Sequence, residues 1–144
     1  VPIENFHLGP GKTVLENGEM LVSLKFPKRV SNSADAYLRM TPRTEMDIAV
    51  VGCGVNISLE NDTCTHARVS LGAVAPKPLL IEEASEIMLG SKLDEDVLDK
   101  VSKICMDACN PINDKRGTVD YRTKVAGVLF KRATKLAADR IRGN

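Results

Sequence analysis

Between residues 43 and 74 the apolar positions fall in two runs separated by turn chemistry. A charged opening (Arg43, Glu45, Asp47) leads into an apolar run over residues 48–55. Glu60-Asn61-Asp62-Thr63 follows, and then a second run ending in Leu71-Gly72-Ala73-Val74-Ala75-Pro76-Lys77-Pro78. Ile48, Val50, Val55, Ile57 and Leu59 suit a pleated, half-buried surface, so the stretch predicts a β-hairpin. Gly52 and Gly54 flank Cys53 inside the first run. Glycine within a strand marks a bulge or a place where another backbone comes close.

Upstream, Gly9-Pro10-Gly11 and Asn17-Gly18 are turn signals, and residues 12–15 make a weak strand. Over residues 19–26 Met20, Val22, Leu24 and Phe26 alternate against Glu19, Leu21, Ser23 and Lys25, which predicts a half-buried strand. Pro27-Lys28-Arg29 ends it and Ser31-Asn32-Ser33 reads as loop, so a boundary is expected there. Residues 1–27 are then a tail from a preceding domain or a linker, and residues 28–144 the domain itself. A start at Val1 without an initiator methionine is consistent with a fragment or a processed chain.

Downstream the period lengthens. Ile81, Ala84, Ile87 and Met88 share a helical face, with Gly90 as C-cap. Asp94 is a suitable N-cap for a second helix, with Leu93 stapling onto Leu98 and a buried stripe of Val97, Val101, Ile104, Cys105 and Ala108. Asn110-Pro111 stops it. After a charged loop, Thr118 caps a last helix whose apolar residues are Val125, Val128, Leu129, Ala133, Leu136 and Ile141. Strands first and helices afterwards give an α+β fold: an antiparallel β-sheet followed by about three helices packed on one face.

Composition narrows the function. With 20 Lys plus Arg against 19 Asp plus Glu, the chain carries no electrostatic footprint of nucleic acid or anionic membrane. Its 144 residues suffice for one core, and no apolar run or signal peptide points to a membrane, so a cytoplasmic location is expected. Cys53, Cys64, Cys105 and Cys109 contain no C-x-x-C pair and read as buried, reduced thiols, with no metal site expected. His7 and His66 lie in the tail and in the hairpin, apart from any acid or base partner. Gly9-x-Gly11-Lys12-Thr13 lacks the spacing of a phosphate loop, and Gly52-x-Gly54 sits within a strand pattern, so neither is a nucleotide cradle. Glu82-Glu83 and Asp94-Glu95-Asp96 belong to first helical turns. No catalytic residue emerges. The polar group that stands out is basic: Arg39, Arg43 and Lys77, which are either solvated charges or the lining of an interface. Lys124, Lys131, Arg132, Lys135, Arg140 and Arg142 spread around the last helix and read as a solvated or subunit-facing surface.

Several ordered blocks carry a resemblance: Tyr37-Leu38-Arg39-Met40-Thr41-Pro42-Arg43, Met46-Asp47-Ile48-Ala49-Val50-Val51 with Gly54-Val55, and Leu71-Gly72-Ala73-Val74-Ala75-Pro76. Leu89-Gly90, Asp114, Arg116-Gly117, Tyr121-Arg122, Leu129 and Arg132-Ala133 extend the series. Together they resemble the C-terminal domain of the FAD-binding (medium) subunit of molybdenum hydroxylases, the family of carbon monoxide dehydrogenase and xanthine dehydrogenase. Phe6, Gly9, Lys12-Thr13, Leu15, Glu19, Leu21 and Pro27 are similar to the end of that family's FAD-binding domain. Pro42 lengthens the linker relative to some members, and the glycine-rich FAD-pyrophosphate loops of the family have no counterpart here.

The resemblance implies an oxidoreductase with a molybdenum cofactor in a large subunit, [2Fe-2S] clusters in a small subunit, and FAD in the medium subunit. This chain would support the FAD domain and dock the partner subunits, with Arg39, Arg43 and Lys77 at the interface or the flavin edge, and be inactive alone without FAD of its own. The competing expectation is a free-standing α+β dimerisation or binding module, for which a homodimer is the assembly.

Overall fold

The structure is a computed structural model that describes residues 1–143. A short 3-10 turn at Ile3–Asn5 precedes a two-stranded ladder of β1 (His7–Gly9) and β2 (Lys12–Thr13). Its turn is the expected one, with Gly11 at φ +66°. A four-stranded antiparallel sheet follows in the order β3 (Ser33–Met40), β4 (Val51–Glu60), β5 (Thr63–Gly72) and β6 (Leu79–Leu80). The helices α1 (Glu82–Met88), α2 (Glu95–Asp107) and α3 (Val119–Arg142) complete the chain. This is the expected α+β arrangement.

The β4–β5 hairpin forms for the reasons the pattern gave. Asn61 and Asp62 both take positive φ, 49° and 62°, as a two-residue hairpin turn requires. Alternate residues face inward and make cross-strand rows: Ala36, Val55 and Val69 in one, and Leu38, Cys53 and Leu71 in the next. Against this face lie α3, over β3 and β4, and α1, over β5, with α2 packed on both helices. Phe130 of α3 is the largest fully buried side chain.

Several expectations are corrected by the packing. Residues 19–26 form no strand, and Met20, Val22, Leu24 and Phe26 are exposed. The Asn17-Gly18 turn does close, with Glu19 N–H donating to Glu16 O, but its flanks find no ladder partner. Alternation supplies a face, and a strand also needs a hydrogen-bonded neighbour. Ser33 belongs not to a loop but to β3, whose inward residues Ala34 and Ala36 are weak strand formers held in place by pairing with β4. Their small size lets α3 approach, where Ala133 and Ala137 are likewise buried.

Ile48 is not on the half-buried pleat; the ladder begins at Val51 and Ile48 is 63% exposed. Of the alternatives at the glycines, a bulge or a close approach, the close approach is found, made by side chains. The register shifts between Ser58 and Leu59, whereas Gly52 and Gly54 lie under side chains of neighbouring strands. A Cβ on Gly52 would sit 2.6 Å from the Tyr37 hydroxyl, and one on Gly54 2.8 Å from Ser70 Oγ.

The helix caps match the sequence. Asp94 accepts a hydrogen bond from Val97 N–H (3.0 Å) and Thr118 from Tyr121 N–H (3.1 Å). Gly90 follows α1 at φ +76°, its N–H donating to Cys64 O. The buried faces are rotated from those expected. In α2 Leu98, Val101, Ser102 and Cys105 are buried, Val97 and Ile104 half-buried, and Ala108 exposed. In α3 Val128 is exposed, while Arg122, Gly127 and Phe130 are buried. A side chain at Gly127 would meet Ser102 Oγ at 2.5 Å, so this glycine lets α2 and α3 close on each other.

Of the six basic residues singled out on α3, Lys124 and Arg132 are exposed as a solvated surface would have them, and the other four are tethered. Lys131 pairs with Asp99, Lys135 with Glu95, Arg140 donates to Asp35 O, and Arg142 reaches Asp62 (3.0 Å) in the hairpin turn. Exposed pairs of this kind add at most about 1 kcal/mol each.

Candidate functional site

The antiparallel order brings three segments to one end of the sheet. Residues 41–50 link the end of β3 to the start of β4, residues 73–78 leave the end of β5, and residues 110–118 lead into α3. Asn110 N–H donates to Val74 O (2.8 Å), joining the last two, and Val50 N–H donates to Met40 O (2.8 Å), closing the first.

All three basic residues singled out from the sequence fall at this end. Arg39 is exposed near the end of β3, opposite Gly52, which in turn faces Gly72. Lys77 is exposed in the bend after β5. Among the described residues neither enters an ion pair. Arg43 differs, since its guanidinium reaches Asp47 (3.6 Å) and donates to Met46 O (3.0 Å). Between them the loop presents apolar surface, with Met46 95% and Ile48 63% exposed.

Beneath this surface runs a polar network that sequence patterning did not single out. Asp47, with its side chain only 5% exposed, accepts from Ile48 N–H (2.8 Å), Arg43 N–H (3.1 Å) and Arg116 Nε (3.3 Å). Asp114 accepts from Arg116 N–H (2.8 Å), Gly117 N–H (3.2 Å) and Arg122 (2.7 Å). Arg122, buried at 4% exposure, also donates to Val50 O (2.8 Å) and Ala73 O (3.3 Å). Its Nε is buried without a partner among the described residues. The sequence signals for this set were the ordered blocks holding Met46-Asp47-Ile48 and Asp114, Arg116-Gly117, Tyr121-Arg122.

Both carboxyls are held below the usual aspartate range. At Asp47 burial pushes upward, but the hydrogen bonds from Ile48, Arg116 and Arg43 outweigh it. At Asp114 the Arg116 backbone bond leads, followed by Arg122, against burial. A carboxyl with a lowered folded pKa stabilises above its unfolded pKa, and that contribution is lost as pH falls through the folded value. Stability is therefore expected to be level above about pH 5 and to fall below about pH 4. Urea melts across that range should show it, with a shallower acid slope in Asp114→Asn; an unchanged slope would remove Asp114 from the account.

The other candidates do not join this end. His66 lies opposite Ser58, towards the hairpin turn. Burial pushes the Cys53 thiol up to about 12 and Cys109 to about 11, and raises Cys64 and Cys105 as well. Cys105 is fully buried, as expected, and Cys109 half-buried. Thiols held protonated in this way react slowly. A colorimetric thiol count at neutral pH should find at most Cys109 reactive in the native protein and all four after denaturation. Rapid labelling of two or more native thiols would contradict the burial. Among the described residues no group of three or more His, Cys, Asp or Glu is placed to hold a metal. A groove of about 280 Å³ lined by Leu93, Leu98, Thr134 and Arg142 lies at the other end, near the hairpin turn.

Residues 36–137 match the family described as the CO dehydrogenase flavoprotein C-terminal domain. The chain belongs to this family. It is 32% identical over 137 residues to the carbon monoxide dehydrogenase medium chain of Hydrogenophaga pseudoflava, covering 95% of this chain and 47% of that one. To the putative xanthine dehydrogenase FAD-binding subunit of Escherichia coli K12 it is 29% identical over 133 residues, covering 92% and 46%. Among solved structures, reconstituted CO dehydrogenase from Oligotropha carboxidovorans superposes with a TM-score of 0.91 at 31% identity, over 95% of this chain and 48% of that one. Quinoline 2-oxidoreductase from Pseudomonas putida 86 gives 0.86 at 25% identity, over 96% and 47%. The chain thus spans about half the length of these relatives. The family and the α+β fold that the sequence blocks suggested are both the ones found. No helix among the described residues is long and apolar enough to cross a membrane.

Proposed function

We propose that this chain is the C-terminal domain of the flavoprotein subunit of a molybdenum hydroxylase-type oxidoreductase, and that its working surface is the sheet end carrying Arg39, Arg43, Ile48 and Lys77. Family membership supports the first statement. The observation that carries the second is the grouping of exposed cations around exposed Met46 and Ile48 on a loop anchored from below. An apolar centre with a polar rim is the anatomy of a docking surface. Residues 1–27 are the tail of the preceding FAD-binding domain, which also accounts for the exposed apolar side chains of residues 19–26.

The residues present fit the edge of a flavin and not its pyrophosphate. Gly9 and Gly11 belong to the β1–β2 hairpin and Gly52 lies under Tyr37, so neither glycine pair cradles a phosphate. Arg39, Arg43 and Lys77 would face the flavin or the neighbouring domain, where they set local charge, while Ile48 and Met46 exclude water. FAD in the complete subunit supplies the electron acceptor, and the molybdenum cofactor and [2Fe-2S] clusters reside in the large and small partner subunits. The assembly is cytoplasmic, and this chain alone is inactive.

Two measurements test this. Arg39→Ala and Arg43→Ala should each leave the isolated domain within about 0.5 kcal/mol of the parent, as exposed substitutions do. In the assembled three-subunit enzyme the same changes should weaken association or flavin-dependent turnover, because an interfacial charge that loses its partner costs about 2–5 kcal/mol. Unaltered assembly and turnover would make these arginines ordinary surface charges. Titrating the chain alone with FAD should give no saturable binding; a Kd tighter than about 10 μM, or roughly 7 kcal/mol, demands a formed site and would overturn the assignment.

A further inference from the structure

The two loops that present the proposed docking surface share one buried side chain. Arg122 Nη1 donates to Val50 O at the end of residues 41–50 and to Ala73 O at the start of residues 73–78. Its Nη2 is held by Asp114, whose neighbour Arg116 reaches back to Asp47 within the first loop. Each loop also contains a non-glycine residue in the left-handed region, Met46 at φ +48° and Ala73 at φ +64°. Such residues are strained and persist only where their surroundings over-determine them. Arg43 N–H and Ile48 N–H both bind the Asp47 carboxylate around Met46, and Arg122 binds the Ala73 carbonyl itself.

We propose that Arg122 is a positioning residue that locks residues 41–50 and 73–78 into one rigid body, so that Arg43, Ile48 and Lys77 meet a partner as a fixed set. This rests on the docking reading for what the loops present, though not for the lock itself. The guanidinium is suited to the task because its planar fork can serve two carbonyls and a carboxylate at once. A lysine ammonium also carries three donors, but on a single nitrogen, so it would have to reach all three acceptors from one point. Prior fixing of both loops removes the ordering cost that two independent loops would incur on association.

The lock is tested by dipolar EPR with nitroxides at Met46→Cys and Lys77→Cys in a Cys109→Ser background, and a control pair at Glu60→Cys and Glu83→Cys. The parent should give a narrow 46–77 distance distribution. In Arg122→Lys and in Asp114→Asn that distribution should widen at least about twofold while the control pair stays unchanged, as expected when the network that both loops share is weakened. Asp114→Asn retains the buried guanidinium, so it carries the test if Arg122→Lys does not fold. An unchanged 46–77 distribution in a folded variant overturns the proposal. Equal widening of the control pair also overturns it, since Arg122 would then support the fold in general. If the lock is found but Arg39→Ala and Arg43→Ala leave assembly and turnover untouched, the docking reading fails and the lock stands.

Discussion

Arg122→Met is expected to destabilise the domain by about 3 kcal/mol and to lower its melting temperature by roughly 10 °C. Methionine keeps the apolar stem and removes every donor, so Val50 O and Ala73 O lose their shared partner next to the fully packed Val50 and Val74 side chains. An orphaned buried carbonyl costs about 1–3 kcal/mol. Asp114 also loses a charge partner, but its side chain is 29% exposed and water takes part of that place, which keeps the total near the low end for a broken buried pair. Denaturant melts of parent and variant measure this directly. A loss under about 1 kcal/mol would mean that water enters and satisfies both carbonyls.

The second large effect is expected at Phe130→Ala, at about 3–5 kcal/mol. Phe130 is fully buried on α3, among β-strand residues that are small or branched, and the chain has only 3 phenylalanines and no tryptophan. Its inward neighbours include Ala126, Ala133 and Ala137, none of which can extend into the space left. Phe130→Leu, which keeps most of the volume, should cost under about 1.5 kcal/mol. If the two variants were equally destabilised, the aromatic ring's shape rather than its volume would be the requirement.

Turn chemistry, caps and the hairpin were legible because each depends on residues a few positions apart. Asn61-Asp62 demands a tight turn whatever surrounds it, and Asp94 and Thr118 offer their oxygens to amides three residues on. The order of strands then helices fixed the α+β class, and the ordered blocks pointed to the family. Arg39, Arg43 and Lys77 could be picked out as cations without an assigned role. Their placement at one end of the sheet came only with the strand order.

What tertiary structure decided is whatever needs a partner distant in the chain. Residues 19–26 have the alternation of a strand and lie exposed, whereas β3, with alanines at its inward positions, is a strand because β4 supplies its ladder. Burial on α3 is set by the sheet and by α2, which turned Val128 outward and Phe130 inward. In the sequence Arg122 is one member of an ordered block, with no role attached. It becomes the centre of a buried network only when Val50, Ala73 and Asp114, up to 72 residues away, converge on it. Local sequence selects conformations by short-range sterics and hydrogen bonds, while burial of a charge is decided by which distant acceptors surround it.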